Sequence, residues 1–212
     1  MDGGLYSARN KTYTNPGTYA ITVRVMDDDG GVGIAKHQVT VSAPSPQVQT
    51  IINDGTVQRS LVTSITYTFN TAVTLTSNAF ELTRADGTPA ATIVVSNPSN
   101  DRKTYVLTFI GPSVMNGSLA DGRYTLQLYA NRVQDDFGQT LSGGDSIINL
   151  HRLFGDSDGD GDTDTTDLLI FRKSLGKHLG EADYLSYFDY NGDGIVDSLD
   201  YTQFRLRLGR KI

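Results

Sequence analysis

Two twelve-residue stretches near the end of the chain follow one pattern, and that pattern constrains the fold more than any other feature. Residues 156–167 read DSDGDGDTDTTD, and residues 189–200 read DYNGDGIVDSLD. Both carry oxygen side chains at positions 1, 3, 5, 9 and 12, with glycine at position 6. A hard cation such as Ca²⁺ takes about six to eight oxygen ligands at about 2.3–2.6 Å, and a loop of this length supplies them by wrapping the ion. The candidate side-chain ligands are Asp156, Asp158, Asp160, Asp164 and Asp167 in the first loop. In the second they are Asp189, Asn191, Asp193, Asp197 and Asp200. Position 7, Asp162 or Ile195, offers its backbone carbonyl, so its side chain is free to vary. Gly161 and Gly194 stand where the chain must turn sharply. Two ions, one per loop, are the expectation.

Asp and Gly also favour plain solvated turns. The repeat argues against that reading, because the register of 33 residues continues past the loops. Phe171-Arg172 aligns with Phe204-Arg205, and Leu175-Gly176-Lys177 with Leu208-Gly209-Arg210. Each loop is followed by apolar residues at i, i+3 and i+7: Leu168, Phe171 and Leu175, then Tyr201, Phe204 and Leu208. This predicts two amphipathic helices packed on each other, each stopped by a glycine. The segment before the first loop, Asn149–Gly155, does not read as a helix, whereas an ordinary EF-hand has an entering helix. A shorter helix is predicted over Glu181–Phe188.

Loop–helix, short helix, loop–helix over residues 153–212 resembles the type I dockerin domain. The resemblance implies a small all-α domain folded around two Ca²⁺ ions that docks onto a cohesin module outside the cell or at its surface. In that family, loop positions 10 and 11 and helix positions 17 and 18 meet the cohesin. They correspond here to Thr165, Thr166, Arg172 and Lys173 in copy one, and to Ser198, Leu199, Arg205 and Leu206 in copy two. Leu199 and Leu206 make the second face unlike the first, which implies a partner of altered specificity or none. Thr163 also departs from the pattern, at position 8 where Val196 is apolar.

Residues 47–152 read as an all-β domain. Expected strands are Gln47–Asn53, Ser64–Asn70, Ala79–Arg84, Thr92–Ser96, Thr104–Ile110 and Arg123–Ala130, with shorter ones near Val133 and over Ser146–Leu150. Tyr124, Leu126 and Leu128 alternate with Thr125, Gln127 and Tyr129, the mark of a half-buried strand. About seven short strands with frequent turns predict a sandwich. The stretch LADGRYTLQLYANRVQDDFGQTL, residues 119–141, resembles bacterial Ig-like domains. Asp135 and Asp136 fall in a turn and are given a structural role.

Residues 1–42 differ. KTYTNPGTYAITVRVMDDDGGVGIAKHQVTVS, residues 11–42, resembles the C-terminal half of a PKD-type β-sandwich repeat. Tyr19, Ile21, Val23 and Val25 alternate as a half-buried strand, and Asp27–Gly31 turns the chain. Asp2-Gly3-Gly4 reads as the last trace of the upstream strands, which implies that the chain continues a longer protein. Pro44 and Pro46 with small neighbours form a short stiff linker.

The fold class expected is thus mostly β, an Ig-like sandwich, with a small all-α calcium-binding domain behind it. The net charge is −6, of which residues 154–212 hold −5, with 12 acidic and 7 basic side chains. The acidity therefore belongs to the metal loops. No basic stripe exists to meet nucleic acid, and no apolar run is long enough to span a membrane. Cysteine is absent, which excludes disulfides and thiolate metal sites but not secretion, since calcium can staple a small domain.

Catalysis finds little support. His37, His151 and His178 are far apart and have no evident partner, and the only glutamates are Glu81 and Glu181. No nucleophile–base pair or phosphate loop is visible. The function expected is a non-catalytic, secreted or surface module that docks a cohesin-like partner. The alternatives are a structural calcium-binding tail and the accessory region of a secreted polysaccharide hydrolase. A carbohydrate-binding module is disfavoured by the absence of tryptophan.

Overall fold

The computed structural model describes residues 11–212, so the reading of Asp2-Gly3-Gly4 lies outside the described residues. The chain forms two units, one up to Ser45 and one from Pro46 to Ile212.

In the first unit, β1 (Gly17–Met26) and β2 (Val32–Val41) pair antiparallel in register from Gly17↔Val41 to Met26↔Val32. The turn is closed by the Asp27 amide on the Gly31 carbonyl at 3.0 Å, with Gly30 at φ 88°. The alternating row is covered only at its start. Tyr13 stacks on Tyr19 at 4.2 Å, but Val23 and Val25 are 52% and 56% exposed. The half-buried strand expected from the alternation is therefore incomplete. A two-stranded hairpin is marginally stable by itself. Backbone amides from Tyr13 to Val41 are expected to exchange within minutes in hydrogen-exchange mass spectrometry. Strong protection in a monomer would contradict this.

The second unit contains two antiparallel sheets. One has the order β3-β4-β8-β7, with β3 Val48–Ile52, β4 Ser64–Phe69, β7 Thr92–Ser96 and β8 Thr104–Ile110. The other has the order β11-β9-β6, with β6 Phe80–Arg84, β9 Gly122–Leu128 and β11 Ser146–Arg152. A short pair, β5 (Val73–Leu75) with β10 (Val133–Asp135), completes the strands. Ile65, Tyr67, Phe69, Leu107 and Phe109 from the first sheet share one core with Tyr124, Leu126, Leu128 and Leu150 from the second. Period-two alternation puts these side chains on one face of each strand. Asp135 accepts the amides of Phe137 and Gln139, so it does close a turn.

Beyond β11, two helices follow the two acidic loops: α1 (Thr165–Ser174) and α2 (Ser198–Arg205). Phe171 is fully buried, with ring centroids 4.9 Å from Phe188 and 4.8 Å from Phe204. Val196, Phe154 and Leu61 complete this core. Leu61 comes from the β3–β4 connection, so the sheets contribute to it. Gly155 sits at φ 101°, and a Cβ there would meet Thr163 Cγ2 at 2.6 Å. Only glycine lets the backbone approach this closely.

Two expectations change. The predicted helix over Glu181–Phe188 is a single 3₁₀ turn, Ser186–Phe188, because Asp183 adopts φ 64° and breaks any helix through it. Leu175 and Leu208 are 41% and 42% exposed and do not belong to the buried stripe. Both lie beyond the last helical residue, where Gly176 and Gly209, at φ 80° and 82°, turn the chain away. The Asn149–Gly155 segment is indeed not helical; its first part extends β11.

Candidate metal centre and docking face

The two acidic loops repeat one hydrogen-bond scheme. At position 1, Asp156 accepts the amides of Gly159 and Gly161 at 2.6 and 3.1 Å. Asp189 does the same for Gly192 and Gly194 at 2.7 and 2.8 Å. At position 12, Asp167 accepts from the Ser157 and Asp164 amides, both at 2.8 Å. Asp200 accepts from the Tyr190 and Asp197 amides at 2.8 and 2.7 Å. Asp156, Asp167, Asp189 and Asp200 are all buried.

Positions 9 and 12 cap the helices. Asp164 is the N-cap of α1 and accepts the Thr166 amide, while Asp167 reaches back to the Asp164 amide. Asp197 and Asp200 cap α2 in the same reciprocal way. Such a capping box satisfies two of the orphan donors at a helix start. The acids at these two positions thus start the helix that follows each loop, and among the described residues three-carboxylate groups form in the first loop only.

The loops do not pair with each other directly. Each pairs with the chain leaving the opposite helix. The Thr163 amide donates to the Arg210 carbonyl at 3.0 Å, and its carbonyl accepts from the Gly209 amide at 2.7 Å. Val196 makes the matching pair with Lys177 and Gly176 at 3.0 and 2.7 Å. Thr163, the polar residue at position 8, is fully buried and donates its hydroxyl to the Phe154 carbonyl at 3.2 Å. That bond lets a threonine occupy an apolar position.

Carboxylate oxygens of Asp156, Asp158 and Asp167 lie within 4.8 Å of one another, as do those of Asp162, Asp164 and Asp167. Oxygens on opposite sides of a Ca²⁺ ion stand about 4.8 Å apart, so the first loop fits that ion. The Asp162 side chain joins this group, although the sequence assigned that position only a backbone role. Asp160 lies outside both groups, and its carboxylate accepts the Asp162 amide at 2.9 Å. In the second loop Asn191 replaces an acid and donates to Asp193 at 2.9 Å. Asp193 also accepts the Ile195 amide at 2.9 Å. The Asp158 carboxyl is pushed above its usual range by burial and by the neighbouring Asp167 and Asp160 charges. Burial also raises Asp200, against two backbone hydrogen bonds and with the charges of Asp189 and Asp197 adding to it. Crowding of this kind is relieved by a divalent cation.

One pair of residues escaped the sequence reading. His151 Nε2 lies 2.8 Å from Asp156 Oδ2, so His151 has a partner after all. Its counterpart one repeat later is Tyr184, whose hydroxyl donates to Asp189 Oδ2 at 2.8 Å. Burial, then the Asp189 hydrogen bond and charge, push the Tyr184 hydroxyl up to about 12. The 33-residue register links the two positions and was the signal available in the sequence. His151 stands on β11, which joins the sheets to the first loop.

Thr165, Thr166, Arg172 and Lys173 are exposed along α1, and Ser198, Leu199 and Arg205 along α2. Arg205 lies over the Tyr201 ring at 6.0 Å. Among the described residues, neither Arg172 nor Lys173 has an ion-pair partner. Leu169, Leu199 and Leu206 are 62%, 62% and 66% exposed, an apolar component on the same two helical units.

Residues 154–208 match the family model of the dockerin type I domain, a non-catalytic docking domain. No curated protein matches the chain. Among solved structures, the chain is similar to one in the crystal structure of a type II cohesin–X-dockerin complex from Acetivibrio cellulolyticus, an N-terminal interface mutant. The identity is 16%, the match covers 79% of this chain and 97% of that one, and the TM-score is 0.27. Among the described residues, no helix is long and apolar enough to cross a membrane.

Proposed function

We propose that residues 153–212 bind two Ca²⁺ ions, one in each loop, and dock a cohesin-type module. The sandwich of residues 47–152, read as Ig-like, carries this domain, and residues 1–42 are the PKD-like segment before it. The chain acts as a non-catalytic module outside the cell or at its surface. The observation that carries this reading is the double duty of Asp164, Asp167, Asp197 and Asp200. Each caps a helix and stands at a ligand position of its loop's pattern, so calcium would set the two helices that bear the docking residues.

In this reading Ca²⁺ supplies a charge centre that holds the loop acids together. Thr165 and Thr166 offer hydroxyls at the start of α1, and Arg172 and Lys173 offer positive charge one to two turns later. Charges at an interface rim set association rate and salt dependence, whereas buried, hydrogen-bonded ones set dissociation. Calorimetry against a panel of cohesin modules tests the docking. Replacing Arg172 and Lys173 together with Ala is expected to weaken binding about tenfold. Replacing Arg205 and Leu206 is expected to do less, with calcium affinity unchanged in both. Equal losses would mean a symmetric face.

A structural tail is the second reading, motivated by Leu199 and Leu206, which depart from the docking positions of copy one. Calcium-dependent folding with no cohesin binding at all would establish it in place of docking.

A further inference from the structure

Where the sheets meet the helical region, four arginines gather around a cavity of about 350 Å³. Arg84 comes from the end of β6, Arg152 from the end of β11, and Arg207 and Arg210 from the chain after α2. Tyr190, at position 2 of the second loop, forms part of the wall. Asp121 is the only carboxylate lining the cavity. It is already saturated. It accepts from Arg152 Nη1 at 2.5 Å, Arg207 Nε at 2.6 Å and the Phe154 amide at 2.9 Å, with Arg210 Nη1 at 3.4 Å. Asp86, 3.3 Å from Arg84, balances a second charge. Two positive charges therefore stay uncompensated at one spot in the most acidic part of the chain.

Arg152 adds an independent observation. It is only 2% exposed, yet its Nε and Nη2 have no hydrogen-bond partner. Its guanidinium lies 5.6 Å from the Phe154 ring and 5.9 Å from the Tyr190 ring. Those ring faces offset charge but do not accept the in-plane N–H groups. A buried donor without an acceptor costs about 1–3 kcal/mol, and more when charged. Burial, only partly offset by Asp121, lowers the Arg152 pKa, in keeping with a cation short of partners.

We infer that this cavity is a binding site for a small oxyanion, a carboxylate or a sulfate group, held by Arg152, Arg84 and Arg210. Guanidinium groups present planar forks of N–H donors that match such oxygens, often two at a time. The volume admits an acidic side chain or a single acidic sugar. Because its walls come from both the sheets and the region after α2, a bound oxyanion would also clamp the two together.

The test uses the full, calcium-loaded chain. Sodium sulfate and sodium acetate are titrated separately at constant ionic strength, and the arginine Nε–H resonances are followed by NMR. The Arg152 Nε–H signal is expected to shift and saturate with at least one of the two. Saturation with sulfate alone identifies a tetrahedral ligand, and with acetate alone a carboxylate. Arg210, half-exposed and held to Asp121 at only 3.4 Å, can be replaced with little cost to folding. Arg210→Ala and Arg84→Gln should each weaken the binding about tenfold, the worth of a charged hydrogen bond. Lys103→Ala, outside the cavity, should leave it unchanged. A linear shift no different from that in sodium chloride would overturn the proposal. Saturation of equal strength in both arginine variants would overturn it too.

Discussion

Chelating calcium from the full chain is expected to strip hydrogen-exchange protection from α1 and α2 while β4, β8 and β9 keep theirs. The cause is charge. Asp156, Asp158, Asp160, Asp164 and Asp167 lie in one loop, and the oxygens of several sit within 4.8 Å of each other. At a separation of about 5 Å and an effective dielectric of about 20, each like-charged pair costs roughly 3 kcal/mol. Without a cation the loop relieves this by opening. Opening moves Asp164 and Asp167, which removes the capping box of α1, and the same holds for Asp197, Asp200 and α2. Helices of ten and eight residues are too short to persist uncapped and unpacked. The two sheets have their own core around Ile65, Leu107 and Leu126, so their central strands stay closed. Helix amides equally protected with and without chelator would contradict this account.

Replacing Asp121 with Ala is expected to destabilise the second unit by about 3–5 kcal/mol, seen as a lowered urea midpoint with calcium present. Asp121 precedes β9 and is 11% exposed, yet it ties Arg152 on β11 to Arg207 beyond α2. Its loss leaves Arg152 buried with no counter-charge, and burying an unpaired charge is among the largest single-residue penalties. A loss below about 1 kcal/mol would mean that the arginines find water instead.

The same carboxylate gives a pH dependence. Burial pushes its pKa up, but the charges of Arg152 and Arg207 and the Phe154 amide pull it down further, so the net shift is downward. A carboxyl whose folded pKa is depressed contributes stability that is complete above its unfolded value of about 3.9. That contribution is lost as pH falls below about 4 and through the folded pKa. Asp121→Asn should therefore flatten the acid limb of the stability profile.

Local physics made much of this legible from the sequence. The loop spacing marked the two loops and the helices that follow them, and the alternation in Arg123–Ala130 predicted β9 and its buried face. Gly176 follows the end of α1 closely, whereas α2 already ends at Arg205, four residues before Gly209. What failed was set by a single backbone angle or by distant partners. Asp183 at φ 64° has no sequence signature strong enough to cancel a helical pattern. β5 has only three residues, too few for a period to show. The Asp121 cluster joins positions up to 89 residues apart, and nothing local at Asp121 announces its arginines. His151 and Tyr184 stand one repeat apart, but they precede the loops, where no motif marks them.

The most direct test of the central claim is isothermal titration of the calcium-stripped full chain with CaCl₂, alongside Asp156→Ala and Asp189→Ala variants. The account predicts two ions per chain for the parent and one for each variant. A parent stoichiometry of zero or one, or variants that still bind two, would contradict it.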